Sequence, residues 1–152
     1  MLEFNGSSSS KAIGNTFDRA KGWWLNLHCT DCSFEDNTFD SRIDNVGIAS
    51  ADQAWGGGCT NCTFKNNNVT MDSGGGFFYF INSTNNLFTG NTFWDTRNPT
   101  TSCSYFQTGS SGNTMTGNTF KYKYQWYPDN NLCINISADS SININNNTML
   151  SP

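Results

Sequence analysis

Two Cys-x-x-Cys pairs, C-T-D-C at Cys29–Cys32 and C-T-N-C at Cys59–Cys62, are the first residues in this chain whose type and spacing could do chemistry. Thiolates so spaced ordinarily hold zinc. Two further cysteines, Cys103 and Cys133, stand 30 residues apart, the same separation as Cys29 from Cys59 and Cys32 from Cys62. A second cluster is acidic. Asp18, Asp40, Asp44 and Asp52 lie close in sequence to Arg19, Arg42 and His28, the only histidine. A carboxylate pair, or a carboxylate with Arg, is what acid–base cleavage of a glycosidic bond requires. A third group is aromatic. Tyr122, Tyr124, Trp126 and Tyr127 crowd the segment K-Y-K-Y-Q-W-Y-P-D-N-N, with Trp94 and Trp55 in earlier segments. Flat rings with polar edges, set among Asn and Asp, suit the CH faces and hydroxyls of sugars. Cover for the fold, or a subunit contact, is an equal use for exposed rings.

The elements that must position these groups are set by a repeat. An apolar residue, two polar ones, Asn, a small residue and a second apolar residue recur six times, starting at Ala12, Phe34, Phe64, Phe88, Met115 and Ile144. Asn15, Asn37, Asn67, Asn91, Asn118 and Asn147 hold the same place in each unit. A repeat of roughly 20–50 residues implies stacked units. Each apolar stretch is short, aromatic or β-branched, and bounded by Asn, Gly, Ser or Asp, so the units are strands. No stretch carries apolar residues at helical spacing over three turns. Each unit divides into a strand ending at the first apolar residue, a bend holding the Asn, and a strand opened by the second apolar residue. A third strand follows a variable loop, as in W-W-L-N-L from Trp23, F-F-Y-F-I from Phe77 and L-C-I-N-I from Leu132. Asn suits the bend because it tolerates left-handed backbone and its amide bonds to neighbouring main chain. Rungs about 4.8 Å apart bring those amides together as a ladder.

The cysteine spacing then has a simple cause. Cys29 with Cys59, Cys32 with Cys62, and Cys103 with Cys133 are equivalent positions on adjacent rungs, where Ser83 and Asn86, then Ser110 and Asn113, stand later. Rung spacing falls inside the Cα separation a disulfide accepts, about 4.4–6.8 Å. Stacked thiols or inter-rung disulfides are therefore expected, and no metal. Asp18 and Asp40 each follow the last apolar residue of their motif and are expected to stack on neighbouring rungs.

The G-N-T-F and N-N-T-M signatures resemble the right-handed parallel β-helix of the pectate-lyase-like superfamily, shared by pectin-degrading enzymes, phage tailspikes and adhesins. The resemblance covers about residues 12–150. It implies an all-β solenoid of about five to six rungs of three strands, with residues 1–11 as an N-terminal extension and 12–152 as the β-helix. Polysaccharide-cleaving relatives carry acids and bases on the outer face of one sheet. Their motifs are missing here: the nearest fragment, R-I-D-N at Arg42–Asn45, departs from the polygalacturonase series at its third residue. The expected function is therefore a non-catalytic module for surface-glycan recognition, attachment or fibre formation, of tailspike kind, with Trp55, Trp94, Tyr122, Tyr124, Trp126 and Tyr127 as glycan-binding residues. The alternative is a polysaccharide lyase or hydrolase built on Asp18, Asp40, Arg42 and Asp44. A threonine column (Thr16, Thr38, Thr92, Thr119, Thr148) resembles ice-binding arrays, but Asn68 interrupts it and the rungs are unequal.

Composition narrows the partners. The 152 residues carry 13% charged residues and a net charge of −4, which excludes the basic face a nucleic-acid backbone needs. With 12 Phe, 5 Trp and 5 Tyr the chain is too aromatic for a solvated tail. No apolar run approaches the ~20 residues of a membrane span, and the N-terminus shows no secretory signal. No cofactor is expected. An open cross-section at each end of a solenoid invites covering, so the expected partner besides glycan is a second copy, as trimer or fibre, or a longer β-helix chain. The expected location is extracellular or on a virion.

Overall fold

The computed structural model describes residues 2–18, 25–41, 48–50, 58–71, 78–96, 104–122 and 134–150. The chain runs through short strands in a fixed order: β1 (Leu2–Ser8), β2 (Lys11–Ile13) and β3 (Thr16–Asp18), then β4 (Leu25–Thr30), β5 (Ser33–Glu35) and β6 (Thr38–Ser41). Next come β7 (Ile48–Ser50), β8 (Thr63–Lys65), β9 (Asn68–Met71), β10 (Phe78–Ile81), β11 (Leu87–Thr89) and β12 (Thr92–Asp95). The last are β13 (Ser104–Gln107), β14 (Asn113–Thr116), β15 (Thr119–Tyr122), β16 (Ile134–Ile136), β17 (Ile142–Asn145) and β18 (Thr148–Leu150).

Every third strand pairs with the next, always in parallel. Sheet A has the order β1-β4-β7-β10-β13-β16, sheet B contains β2, β5, β8, β11, β14 and β17, and sheet C contains β3, β6, β9, β12, β15 and β18. One pass through A, B and C makes a rung, and the next lies on top of it. This is an all-β parallel solenoid, as the repeat implies. β1 lies within residues 1–11, the stretch set apart in sequence as an extension, and pairs with β4 from Leu2↔Leu25 to Ser8↔Thr30.

The period-2 pattern decides what faces inward. In sheet B the motif's first apolar residues, Phe34, Phe64, Phe88 and Met115, are buried, and in sheet C so are Phe39, Val69, Phe93 and Phe120. Their rings pile along the axis: Phe34 on Phe64 at 5.0 Å, Phe64 on Phe88 at 4.6 Å and Phe93 on Phe120 at 5.0 Å, all stacked. Sheet A closes the core with Phe78 and Phe80, both fully buried and edge-on to neighbouring rings. Ile144 and Met149 also belong to the inner columns by register with Met115 and Phe120. Yet they are 42% and 41% exposed, although they stand in line with residues that are buried in the other rungs. No strand among the described residues lies over them, and an inner side chain is covered only by the next rung.

The bend from sheet B to sheet C shows how rungs lock. Asn67 Nδ2 donates to Asn91 Oδ1 (2.9 Å) and to the carbonyl of Phe34 (2.8 Å), and the main-chain N–H of Asn67 donates to the same Oδ1 (2.9 Å). The same three contacts recur at Asn37 and Asn91, so buried amides are satisfied along the column. The left-handed residue in this bend is not the motif Asn, as expected, but the one before it: Gly14, Asp36, Asn66, Gly90, Gly117 and Asn146 have φ between 51° and 67°. That residue turns the chain while the motif Asn points inward to bond.

Candidate functional site

The bend from sheet A to sheet B is built like the other. A left-handed residue (Asp31, Asn61, Asn85 or Gly112, φ 55° to 67°) is followed by an inward one, here Cys32, Cys62, Asn86 or Asn113. In the later rungs Asn86 Nδ2 donates to the Cys59 carbonyl (3.0 Å) and to Asn113 Oδ1 (2.9 Å), while Cys62 N–H donates to Asn86 Oδ1 (2.9 Å). Three residues earlier a second inward position holds Cys29, Cys59, Ser83 and Ser110, all buried. Ser83 Oγ accepts from Cys59 N–H (3.2 Å) and donates to the Ile81 carbonyl (2.9 Å).

In the two cysteine rungs this hydrogen-bonded column becomes a nest of sulfur. Cys29 Sγ lies 3.8 Å from Cys59 Sγ and 3.6 Å from Cys62 Sγ, and all four residues are free thiols with 3% exposure or less. The Sγ atoms of Cys29, Cys32 and Cys62 fall within 4.8 Å of one another. Cys62 Sγ also reaches the carbonyls of Cys29 (3.6 Å) and Thr60 (3.5 Å). S–H donation from Cys29 and then from Cys59, helped by the main-chain groups of Cys32 and Thr60, holds the Cys62 thiol well below the usual range although burial pushes it up. Donation to Cys59 and Cys62, with burial, drives Cys29 the other way. Cys103 and Cys133 lie outside the described residues.

Over this bend the surface is concave. A groove of about 390 Å3 is lined by Gly6, Ser8, His28, Thr30, Thr60 and Asn82, with Cys29 on its floor. His28 stands between the buried Leu27 and Cys29, and its Nδ1 is buried with no hydrogen-bond partner among the described residues. Sequence reasoning left this groove out. The signal was the shared Thr/Ser place in C-T-D-C, C-T-N-C, S-T-N-N and S-S-G-N, where Thr30, Thr60, Thr84 and Ser111 join by single parallel bridges.

The acidic pair lies on another face. Asp18 and Asp40 are register partners on β3 and β6 of sheet C, while His28 is on β4 of sheet A, so the structure puts the pair together and the histidine in a different sheet. Arg42 and Asp44 lie outside the described residues, as do Arg19, Asp52, Trp55, Tyr124, Trp126 and Tyr127. The column that starts at Asp18 and Asp40 continues through Thr70, Trp94, Lys121 and Leu150. Trp94 is 44% exposed, and Tyr122 pairs with Asp95 at the next place along the strands. Beside that column runs another of Thr16, Thr38, Asn68, Thr92, Thr119 and Thr148. From Asp18 to Lys121 the outer face of sheet C is thus a polar strip carrying one projecting indole, with the exposed Leu150 beyond it.

Among known proteins, a family model described as the right-handed β-helix region matches residues 2–151. No curated protein and no solved structure matches the chain. The match spans nearly the whole length and agrees with the coiled topology, the parallel register and the inward aromatic columns. The chain belongs to the right-handed β-helix family.

Proposed function

We propose that this protein is a non-catalytic structural module, extracellular or virion-borne and tailspike-like, that recognises or attaches to surface glycan through the outer face of sheet C. The observation that carries the reading is Trp94, a large ring 44% exposed in the middle of a polar column. At about 4.8 Å per rung, the run from Asp18 to Lys121 is roughly 19 Å long, room for several linked sugar rings. Asp and Lys at its two ends supply hydrogen bonds to hydroxyls, and the indole supplies an apolar platform. The test is a glycan array followed by calorimetry on any hit. Binding lost in Trp94→Ala, with the fold retained, supports the reading; unchanged binding removes this face as the site.

One observation favours a second reading, a depolymerase of lyase or hydrolase type: Asp18 and Asp40 are register partners on the outer face of sheet C. Incubation with acidic and neutral polysaccharides separates the two. New reducing ends or unsaturated uronates that Asp40→Asn abolishes would establish the enzyme.

We read the solenoid as six rungs with an Asn ladder at the B-to-C bend, supported by the six strands in each sheet and the Asn-to-Asn contacts. Association with a second copy, or continuation into a longer β-helix, is the partner reading. Ile144, Met149 and Leu150 support it, because together they present apolar surface at 41–47% exposure. Sedimentation across a concentration series tests it, and a single concentration-independent monomer would refute it.

A further inference from the structure

We propose that Cys29, Cys32, Cys59 and Cys62 form a tetrathiolate site for a zinc-class divalent ion inside the solenoid, at the bend between sheets A and B. Four thiolates around zinc, with Zn–S about 2.3 Å, sit on a tetrahedron whose edges are about 3.8 Å. Cys29 Sγ already lies 3.8 Å from Cys59 Sγ and 3.6 Å from Cys62 Sγ; Cys29, Cys32 and Cys62 fall within 4.8 Å of one another, and Cys59, outside that triad, must draw closer to it to supply the fourth vertex. The ligands arrive as two Cys-x-x-Cys pairs, from equivalent bends on adjacent rungs that the parallel register holds in place.

The surroundings favour a cation. Cys62 Sγ is beside the carbonyl oxygens of Cys29 and Thr60, and Cys32 Sγ is 3.5 Å from that of Thr30. Partial negative charge therefore gathers around sulfurs that must share it with protons or with a metal. A bound dication would supply the positive charge that lets buried thiols ionise together. Nothing in the bend itself demands sulfur. Ser83 with Asn86, and Ser110 with Asn113, fill the same two places in later rungs with hydrogen bonds alone.

Binding releases the thiol protons to solvent and forms metal–sulfur bonds without any redox change, so affinity falls as pH falls. The full-length chain, reduced and stripped with chelator, is titrated with Co2+ under anaerobic conditions. One equivalent should produce thiolate-to-metal charge transfer in the near ultraviolet and tetrahedral ligand-field bands in the red. One equivalent of Zn2+ should bleach both. The variant Cys29→Ser with Cys62→Asn takes the residue types found at Ser83 and Asn86, and should keep the far-ultraviolet dichroism while losing the bands. Absence of the bands in the wild-type protein with its thiols titrating as free would overturn the proposal. So would bands that persist in a folded double variant, or cysteines isolated as inter-rung disulfides by mass spectrometry. If the double variant does not fold, the wild-type titration alone decides.

Discussion

The two bends of each rung share one backbone design and differ in what they put inside. Both use a left-handed residue followed by an inward-pointing one. At the B-to-C bend the inward residue is Asn in every repeat. At the A-to-B bend it is Cys at 32 and 62, then Asn at 86 and 113. The comparison separates architecture from chemistry. A buried amide is the standing solution for satisfying main-chain groups between rungs. Where the same geometry carries sulfur instead, the residue was not required by the turn, and another role has to explain it.

The largest effect should come from breaking the bend that never varies. Asn67→Ala removes the amide's two donations and the two it accepts from Asn37, taking away the side-chain donor to the Phe34 carbonyl and the side-chain acceptor of the Asn37 N–H. A loss of about 3–5 kcal/mol is expected in urea unfolding. Asn86→Ala at the other bend should cost less, about 2–4 kcal/mol. It loses three contacts instead of four, because Cys62 below it has no amide to donate.

Glycines at the B-to-C bend sharpen the same point. Gly90 has φ 65°, and a Cβ there would meet Asn66 Oδ1 at 2.5 Å; Gly117 has φ 64° and nothing within 4 Å. Gly90→Ala should cost about 2 kcal/mol and Gly117→Ala about 1 kcal/mol, read as shifts in the urea midpoint. Gly117→Asn should be nearly silent, within about 0.5 kcal/mol, since Asn66 and Asn146 hold that place with φ 54° and 51°. Smallest of all should be Trp94→Ala on the outer strip, which should leave stability within about 0.5 kcal/mol; a large loss would mean the ring is structural.

Much of this was legible in the sequence, for reasons particular residues make clear. The Asn positions and the aromatic columns repeat with one chemistry, so their equivalence survives loops of unequal length. Asp18 and Asp40 share an offset from their motifs, and that offset became register. The A-to-B bend was harder to read because Cys, Ser and Asn alternate at a single place, which hid its kinship with the other bend. β1 was missed because L-E-F-N-G-S-S carries too little apolar alternation to announce a strand, and its pairing comes from β4 beside it. His28 is near the acidic pair in sequence only. On a coil, residues ten apart fall on different sheets, and His28 lies in A while Asp18 and Asp40 lie in C.

The most direct measurement exchanges one solution for the other throughout the sulfur nest. The variant Cys29→Ser, Cys32→Asn, Cys59→Ser, Cys62→Asn gives both cysteine rungs the residues found at Ser83 and Asn86. Its urea unfolding is compared with the wild-type chain, both reduced and in chelator. The expected result is the same β-rich dichroism, and a stability equal to the wild type within about 1–2 kcal/mol or above it, as added amides satisfy main-chain groups. A chain that fails to fold, or loses several kcal/mol, would show that the two bends are not interchangeable and that sulfur is part of the turn itself.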